Sequence, residues 1–350
     1  MKKNEAINFL NELSQTDNIL HISHNDLDGY ASTYILNKYL DSRVSTLNQG
    51  NTNYGEIISK IDDMLIFKDT TVIITDLNLT LEECEFLDSN VKSWIVIDHH
   101  KTGIDSFEAY PRNYYLDWEN CATQLLYTLF DESRYTSDKD LFRLAEIVDT
   151  YDLWKKFKGV DFNYGMLLSL YIYNNPFEVP ELKLGYSNWI LDKVFDYLIS
   201  YGISNTELIY PKLFAEQIAV VNTEDFITDN NLPMSIKTAL MHVKHLDAYI
   251  IYEDNDVAVF TGITTKVTQY AFDKMFDKKH YQNKVLINFN PENGNTAFRS
   301  RNERSSIYAQ LCGGGGHPNA SGARLKEIPD ETLTQTLLKI LKDEYIRNGK

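Results

Sequence analysis

Apolar positions first gather at residues 19–23, Ile-Leu-His-Ile-Ser, a run of the length of a buried strand. The run ends in a packet of polar residues: Ser23, His24, Asn25, Asp26 and Asp28. LDGYASTYILNKYL follows with apolar residues at helical spacing, Tyr30, Tyr34 and Leu36 among them. The same alternation then recurs. TVIITD (71–76) reads as a strand, and LTLEECEFLDS as a helix with Thr80 as N-cap and acidic residues in its first turn. SWIVIDHH (93–100) reads as a third strand, with ENCATQLLYTLF and DLFRLAEIVDTYDLW helical behind it. Strands alternating with helices predict βαβ units and a parallel sheet. Ligands of such sheets sit outside the carboxyl ends of the strands. Asp26 and Asp28, Asp76, and Asp98 with His99 and His100 are therefore expected on one rim.

From about 155 to 245 the pattern is mostly helical, as in SNWILDKVFDYLISYG and LPMSIKTALMHVKHL. The texture changes after that. AYIIYEDNDVAVFTGI reads as two strands joined by an Asp-Asn turn, and KVLINFNPENGNTAFRSR as a second such pair. CGGGGHPNASGARL follows. The fold class predicted is α/β: an N-terminal domain at 1–200 with a parallel sheet flanked by helices, and a smaller α/β domain at 210–350. A chain of 350 residues is long enough for two cores.

Composition narrows the function. Hydrophobic residues at 43% make the chain globular. No apolar run is long enough to span a membrane, and MKKNEAINFL lacks the sustained apolar core of a signal peptide. Three widely spaced cysteines, Cys84, Cys121 and Cys312, fit a reducing cytoplasm better than a disulfide framework. A net charge of −16 argues against a general nucleic-acid coat, which needs a basic stripe against phosphates. Surplus carboxylates can instead hold divalent cations, and a few local arginines can still grip a short anionic substrate.

Carboxylates mixed with imidazoles suit Mn²⁺, Fe²⁺ or Zn²⁺. Two ions about 3.5–4 Å apart need a bridging carboxylate and ligands on both flanks. Asp26, Asp28, Asp76, His99 and the pair Asp149 and Asp152 supply such a set. Taken singly, Asp28 is equally a helix cap. Late in the chain, four glycines allow backbone N–H groups to approach an anion, with His317 at the loop's mouth. AFRSRNER adds Arg299, Arg301 and Arg304, and strand alternation would put Arg299 and Arg301 on one face. Arg301 and Arg304 can equally be solvated surface charges.

NDLDG, ITDLN, IDHHKT and EIVDTYD, in that order, resemble the four motifs of the DHH phosphoesterase family. GGGGHPNASG resembles the signature of the DHHA1 domain that follows in many members, so the likeness frames the chain from Asn25 to Gly322. The resemblance implies a DHH catalytic metal-binding domain followed by a DHHA1 substrate-binding domain. It implies Asp26, Asp28, Asp76, His99 and Asp149 as metal ligands, with Asp76 bridging. Asp98 would orient a neighbouring histidine, and His100 would face the scissile phosphate or the attacking water. Several branches place a metal-binding histidine four residues before the first aspartate. That position is Ile22 here, and His24 either stands in for it or bonds to backbone. Asp152, one helical turn after Asp149, is the alternative fourth-motif ligand. Arg299 and Ser300 align with an arginine-serine pair that contacts substrate, joined by Gly314, Gly315, Gly316 and His317.

The implied cofactor is a pair of divalent ions, Mn²⁺ foremost. The implied activity is hydrolysis of short oligonucleotides or linear dinucleotides to mononucleotides, nearest to the small oligoribonuclease (nanoRNase) members. 3′-Phosphoadenosine 5′-phosphate is a further candidate substrate. The alternatives are an exonuclease on longer single strands, which would want a basic groove with stacking aromatics, and a non-catalytic nucleotide-binding regulator. The expected partner is a short oligonucleotide or dinucleotide, with no long duplex and no membrane, and a homodimer is compatible. No Gly-x-Ser-x-Gly elbow is present, and none is needed.

Overall fold

Strand β1 (Asn18–His24) is buried along its middle five residues, and β3 (Thr70–Thr75) along all of its length. Such strands need cover on both faces. The computed structural model describes residues 1–195 and 246–347, apart from 14–16, 41–43, 45, 64–67, 133–138, 156–159, 174–179, 264 and 326–331. By internal contacts the chain divides into residues 1–228 and 229–350. The helix expected over 232–246 lies, but for Leu246, outside the described residues, as does a boundary near 200–210.

The first unit is built on a five-stranded sheet in the order β2-β1-β3-β4-β5, parallel throughout. β4 is Ser93–Asp98; β2 (Thr46–Thr52) and β5 (Tyr114–Leu116) form the edges. Pairing of Ile22 with Ile74, and of Ile74 with Val96, brings the carboxyl ends of the three central strands level. On one face Leu20, Ile22, Val72, Ile74 and Val96 pack with Cys84 and Leu87 of α4 (Leu81–Asn90). Thr80 caps α4 as expected: its hydroxyl accepts from the Glu83 N–H, and the Glu83 carboxylate accepts from the Thr80 N–H. Such a reciprocal cap is worth about 1 kcal/mol. The other face carries His21 and Ser23, and Ser23 meets α2 (Leu27–Leu40) through Ser32. There His21 Nε2 lies 2.9 Å from Thr75 Oγ1, and the Ser23 and Ser32 hydroxyls both reach the same Thr75 hydroxyl. α6 (Ala122–Glu132) and α7 (Lys139–Asp152) pack on α2, which accounts for its burial nearly all round.

The second unit holds a six-stranded sheet in the order β10 (Gly315–Gly316), β11 (Ala320–Arg324), β9, β8, β7 and β6. The two strand pairs read from the sequence are antiparallel hairpins: β6 (Ile250–Glu253) with β7 (Val257–Thr261), and β8 (Val285–Phe289) with β9 (Asn295–Arg299). β7 and β8 pair parallel across an intervening helix, Thr265–Phe276. Alternation sorts the strand residues between two cores. Ala258, Phe260 and Leu286 face Phe272 and Met275 of the helix. Val257, Val259, Val285 and Ile287 face Leu337 and Leu341 of a C-terminal helix, Leu333–Arg347. The α/β class and the parallel N-terminal sheet follow the sequence reading. No helix among the described residues is long and apolar enough to cross a membrane.

Candidate metal centre

The first polar packet is held by a tight strand-to-helix turn. Asp26 caps α2, its carboxylate accepting from the Gly29 N–H at 3.0 Å. A Cβ at Gly29 would stand 2.1 Å from the His24 carbonyl oxygen, so only glycine lets the helix begin this close to the strand. Asp28 caps a helix too, but not its own. Its two oxygens accept from the Ala122 and Thr123 N–H groups at the start of α6, each at 2.8 Å. The capping role and a place in the cluster therefore coexist in one residue. Asp76 follows β3 with φ +57, a left-handed conformation that costs a non-glycine residue strain. That turn aims its carboxylate over the strand ends.

Two sets of donors meet at Asp76. On one side His24 Nδ1 lies 2.9 Å from Asp26 Oδ2 and 3.7 Å from Asp76 Oδ2. On the other, His99 Nε2 lies 3.2 Å from Asp76 Oδ1 and 3.5 Å from both Asp28 Oδ2 and Asp152 Oδ2. His24, Asp26 and Asp76 form one group able to hold an ion, and Asp28, His99 and Asp152 another. Asp98, fully buried, accepts from His100 Nδ1 at 2.7 Å.

The electrostatics fit a cation. Burial, then Asp26, Asp28 and Asp152, push the Asp76 carboxyl well above its ordinary range. Asp152 is pushed up likewise by burial and by Asp28 and Asp26. Burial also acts on Asp26, but the adjacent His24 outweighs it and holds that carboxyl down. His100 is pulled down by burial, yet Asp98 and the other carboxylates raise it overall. Asp76 Oδ2 and Asp98 Oδ2 are buried without a hydrogen-bond donor among the described residues. Crowded carboxylates, buried bare oxygens and imidazole nitrogens together make a donor set for divalent ions with mixed N/O preference.

Asp149 and Asp152 part company. Asp149 accepts from the Cys121 N–H at 3.0 Å and from Lys155 Nζ at 2.6 Å. Asp152, not Asp149, stands within the cluster around His99. A separation of three residues on α7 turns the two carboxylates to different neighbours.

In the second unit, Arg299, Ser300, Gly314, Gly315, Gly316 and His317 belong to one local structure. β11 (Ala320–Arg324) pairs with β9 on one side and with β10 (Gly315–Gly316) on the other. Arg299 donates to Gln269 and to the Phe298 and Ser321 carbonyls. Ser300 is buried, and its hydroxyl accepts from the Arg304 and Ser305 N–H groups. A Cβ at Gly314 would lie 2.0 Å from the Gly322 oxygen, so strand packing alone demands glycine there. Arg301 does not share a strand face with Arg299, because β9 ends at Arg299. Arg301 instead donates to the Phe276 carbonyl and Asp277, and Arg304 to Asp256 and the Asn283 carbonyl. Neither is a freely solvated charge.

Three residues at the rim of the first unit were not legible as site residues. Tyr54, after β2, places its hydroxyl 2.9 Å from His100 Nε2. Lys155 occupies Asp149. Trp118, two residues past β5, is 49% exposed with Lys101 Nζ 5.4 Å from its ring centroid. The Asp117 N–H just before it bonds the carbonyl of Asp98, so Trp118 stands beside the strand end that carries the histidines. A large exposed aromatic next to a cation was the available signal for Trp118. Nothing local marks the other two.

Residues 18–149 match the DHH family, N-terminal domain. The chain is 25% identical over 337 residues to a 3′,5′-cyclic-nucleotide phosphodiesterase of Helicobacter pylori, covering 88% of this chain and 92% of the relative. An exopolyphosphatase-related protein from Bacteroides fragilis shares the fold with a TM-score of 0.57 and 17% identity, over 99% of this chain and 96% of that one. RecJ from Thermus thermophilus, solved in complex with Mn²⁺, does so with a TM-score of 0.59 and 16% identity, over 99% of this chain and 55% of RecJ.

Proposed function

With residues 18–149 a DHH family N-terminal domain, we propose that the protein is a metal-dependent phosphodiesterase acting on short oligonucleotides or linear dinucleotides. One observation carries the reading: Asp76 directs one carboxylate oxygen at His24 and the other at His99, between two groups of ligands. His24, Asp26 and Asp76 would hold one divalent ion, and Asp28, His99, Asp152 and Asp76 the other. Of the two fourth-motif candidates, the geometry favours Asp152, since Asp149 is already engaged by Lys155 and the Cys121 N–H. Such ions, Mn²⁺ foremost, would supply positive charge against phosphoryl oxygens and would lower the pKa of water.

The chain's own residues supply the rest. Asp98 fixes the Nδ1–H tautomer of His100 and its ring plane. Beside the phosphoryl group, His100 would lend positive charge against the negative charge that develops there, since its neighbouring carboxylates favour the protonated ring. We assign a nucleotide-binding role within the C-terminal domain, as a DHHA1 domain, to Arg299, Gly315, Gly316 and His317. Ser300 and Gly314 shape that loop from within. Trp118 with Lys101 offers an aromatic face and a cation, a pairing that suits a nucleobase and phosphate better than a bare polyphosphate. The net charge of −16 favours short substrates over long strands.

The test is a length series of single-stranded RNA and DNA from two to about twenty-four nucleotides, labelled at each end in turn, with Mn²⁺. 3′,5′-Cyclic AMP and 3′-phosphoadenosine 5′-phosphate form two further arms. Fastest turnover on di- to tetranucleotides supports the proposal. Fastest turnover on the longest strands, falling steeply with salt, would replace it with an exonuclease. Tight binding without cleavage would replace it with a regulator, and cleavage of the cyclic nucleotide alone would move the substrate class to cyclic phosphodiesters.

A further inference from the structure

We propose that Tyr54 is a positioning residue for His100, holding the ring nitrogen that Asp98 does not reach. The inference rests on the phosphodiesterase reading and extends it to a side chain outside the four motifs. Asp98 Oδ1 lies 2.7 Å from His100 Nδ1, and the Tyr54 hydroxyl lies 2.9 Å from His100 Nε2. The imidazole is thus gripped at both nitrogens. The grip holds in either protonation state, because a phenol donates to a bare Nε2 and accepts from a protonated one. A histidine held only at Nδ1 can still swing about that bond; a second partner at Nε2 fixes its plane.

The phenol is itself held in place. His24 and Thr52 are register partners on the parallel strands β1 and β2, so a residue just past β2 emerges beside His24. The Tyr54 ring packs 4.9 Å from the His24 ring and 5.6 Å, edge-on, from the His100 ring. Its own turn is tied from below. The Glu56 carboxylate accepts from the Thr52 hydroxyl at 3.2 Å and from Asn53 Nδ2 at 2.9 Å. Gly55 adopts φ +75, and the Ile57 N–H bonds Glu83 Oε1 at 3.0 Å. At 40% exposed, Tyr54 still meets solvent at the rim while its hydroxyl points inward to His100. A residue serving only to fill space would bury its ring and turn its hydroxyl to water.

Tyr54→Phe keeps the ring over His24 and removes only the hydroxyl. Two readouts test it. The first is steady-state hydrolysis of linear diadenylate with Mn²⁺. The expected result is a kcat about fivefold to tenfold below wild type, the usual effect of one lost hydrogen bond, with KM within about twofold and bound Mn²⁺ unchanged. The second is ¹⁵N-histidine NMR of the metal-free protein, with His100 assigned by its absence in His100→Gln. Loss of the phenol should move the Nε2 resonance of His100 toward its unbonded value and leave Nδ1 in place. A kcat within about twofold of wild type, or an Nε2 resonance that does not move, overturns the proposal. If the wild-type protein cleaves no phosphodiester, the phosphodiesterase reading fails by itself. The Nε2 resonance then still decides whether Tyr54 holds His100.

Discussion

His99 Nε2 stands 3.2 Å from Asp76 Oδ1, and both side chains are fully buried or nearly so. Burial, and after it the negative charge of Asp26, Asp28 and Asp152, pushes the Asp76 carboxyl well above the ordinary range. The charged form of Asp76 is therefore disfavoured in the metal-free fold. Removing that charge should stabilise the metal-free protein. Asp76→Asn, stripped with EDTA, is expected to melt above stripped wild type. Mn²⁺ should reverse the order, because binding at about a hundred times Kd adds roughly 2.7 kcal/mol to the wild type alone. Differential scanning fluorimetry with and without Mn²⁺ checks this. A stripped variant that melts below stripped wild type contradicts it.

Asp149 and Asp152 make a paired prediction. Asp152→Asn removes a carboxylate 3.5 Å from His99 and should lower bound Mn²⁺ and hydrolysis together by about tenfold or more. Asp149→Asn breaks the ion pair with Lys155 and weakens the bond from the Cys121 N–H. It should leave Mn²⁺ content near wild type while lowering stability by about 1–3 kcal/mol. Metal analysis beside urea unfolding separates the two. Metal lost from Asp149→Asn and kept in Asp152→Asn would exchange their roles.

His21 lies wholly buried under the sheet, bonded to Thr75, and burial lowers its imidazole pKa to about 3. The unfolded chain binds a proton near the ordinary value of about 6.5. Between those values the unfolded state holds more protons, so this residue makes stability rise with pH and fall as pH drops below about 6.5. From about pH 7.5 to about pH 5.5 its contribution to the loss is roughly 1.4 kcal/mol. His21→Gln keeps a donor or acceptor toward Thr75 and does not titrate. Urea unfolding at the two pH values should show a loss smaller by that amount in the variant than in wild type. Equal losses would contradict the assignment.

Much of this arrangement was readable in the chain, and the reason is local. β1, β3 and β4 are apolar runs that end abruptly in carboxylates and histidines, so both the strands and the rim were visible. β2 (Thr46–Thr52, TLNQGNT) was not, because an edge strand can be held by main-chain pairing and needs few apolar side chains. Nothing local to Tyr54 sets it beside His24; only the pairing of β2 with β1 does so. Asp28 looked like a cap for its own helix, yet it caps α6 across 94 residues of sequence. The glycine run suggested anion binding, while the close approach of Gly314 to Gly322 shows that strand packing also demands glycine there. In each case a contact between distant segments decided the role.

Trp118 gives a prediction about substrate. An exposed indole beside Lys101 should stack a nucleobase. Trp118→Ala is expected to raise KM for linear diadenylate about fivefold or more, with kcat within about twofold. Steady-state kinetics on the dinucleotide decides it, and an unchanged KM would remove Trp118 from the binding surface.

The central claim is that Asp76 joins two groups of metal ligands into one hydrolytic site. The most direct measurement is turnover of linear diadenylate by Asp76→Ala at saturating Mn²⁺, on protein whose circular dichroism matches wild type. The expected result is a loss of at least about 100-fold, with bound Mn²⁺ reduced. Turnover within a few-fold of wild type would contradict the two-metal account.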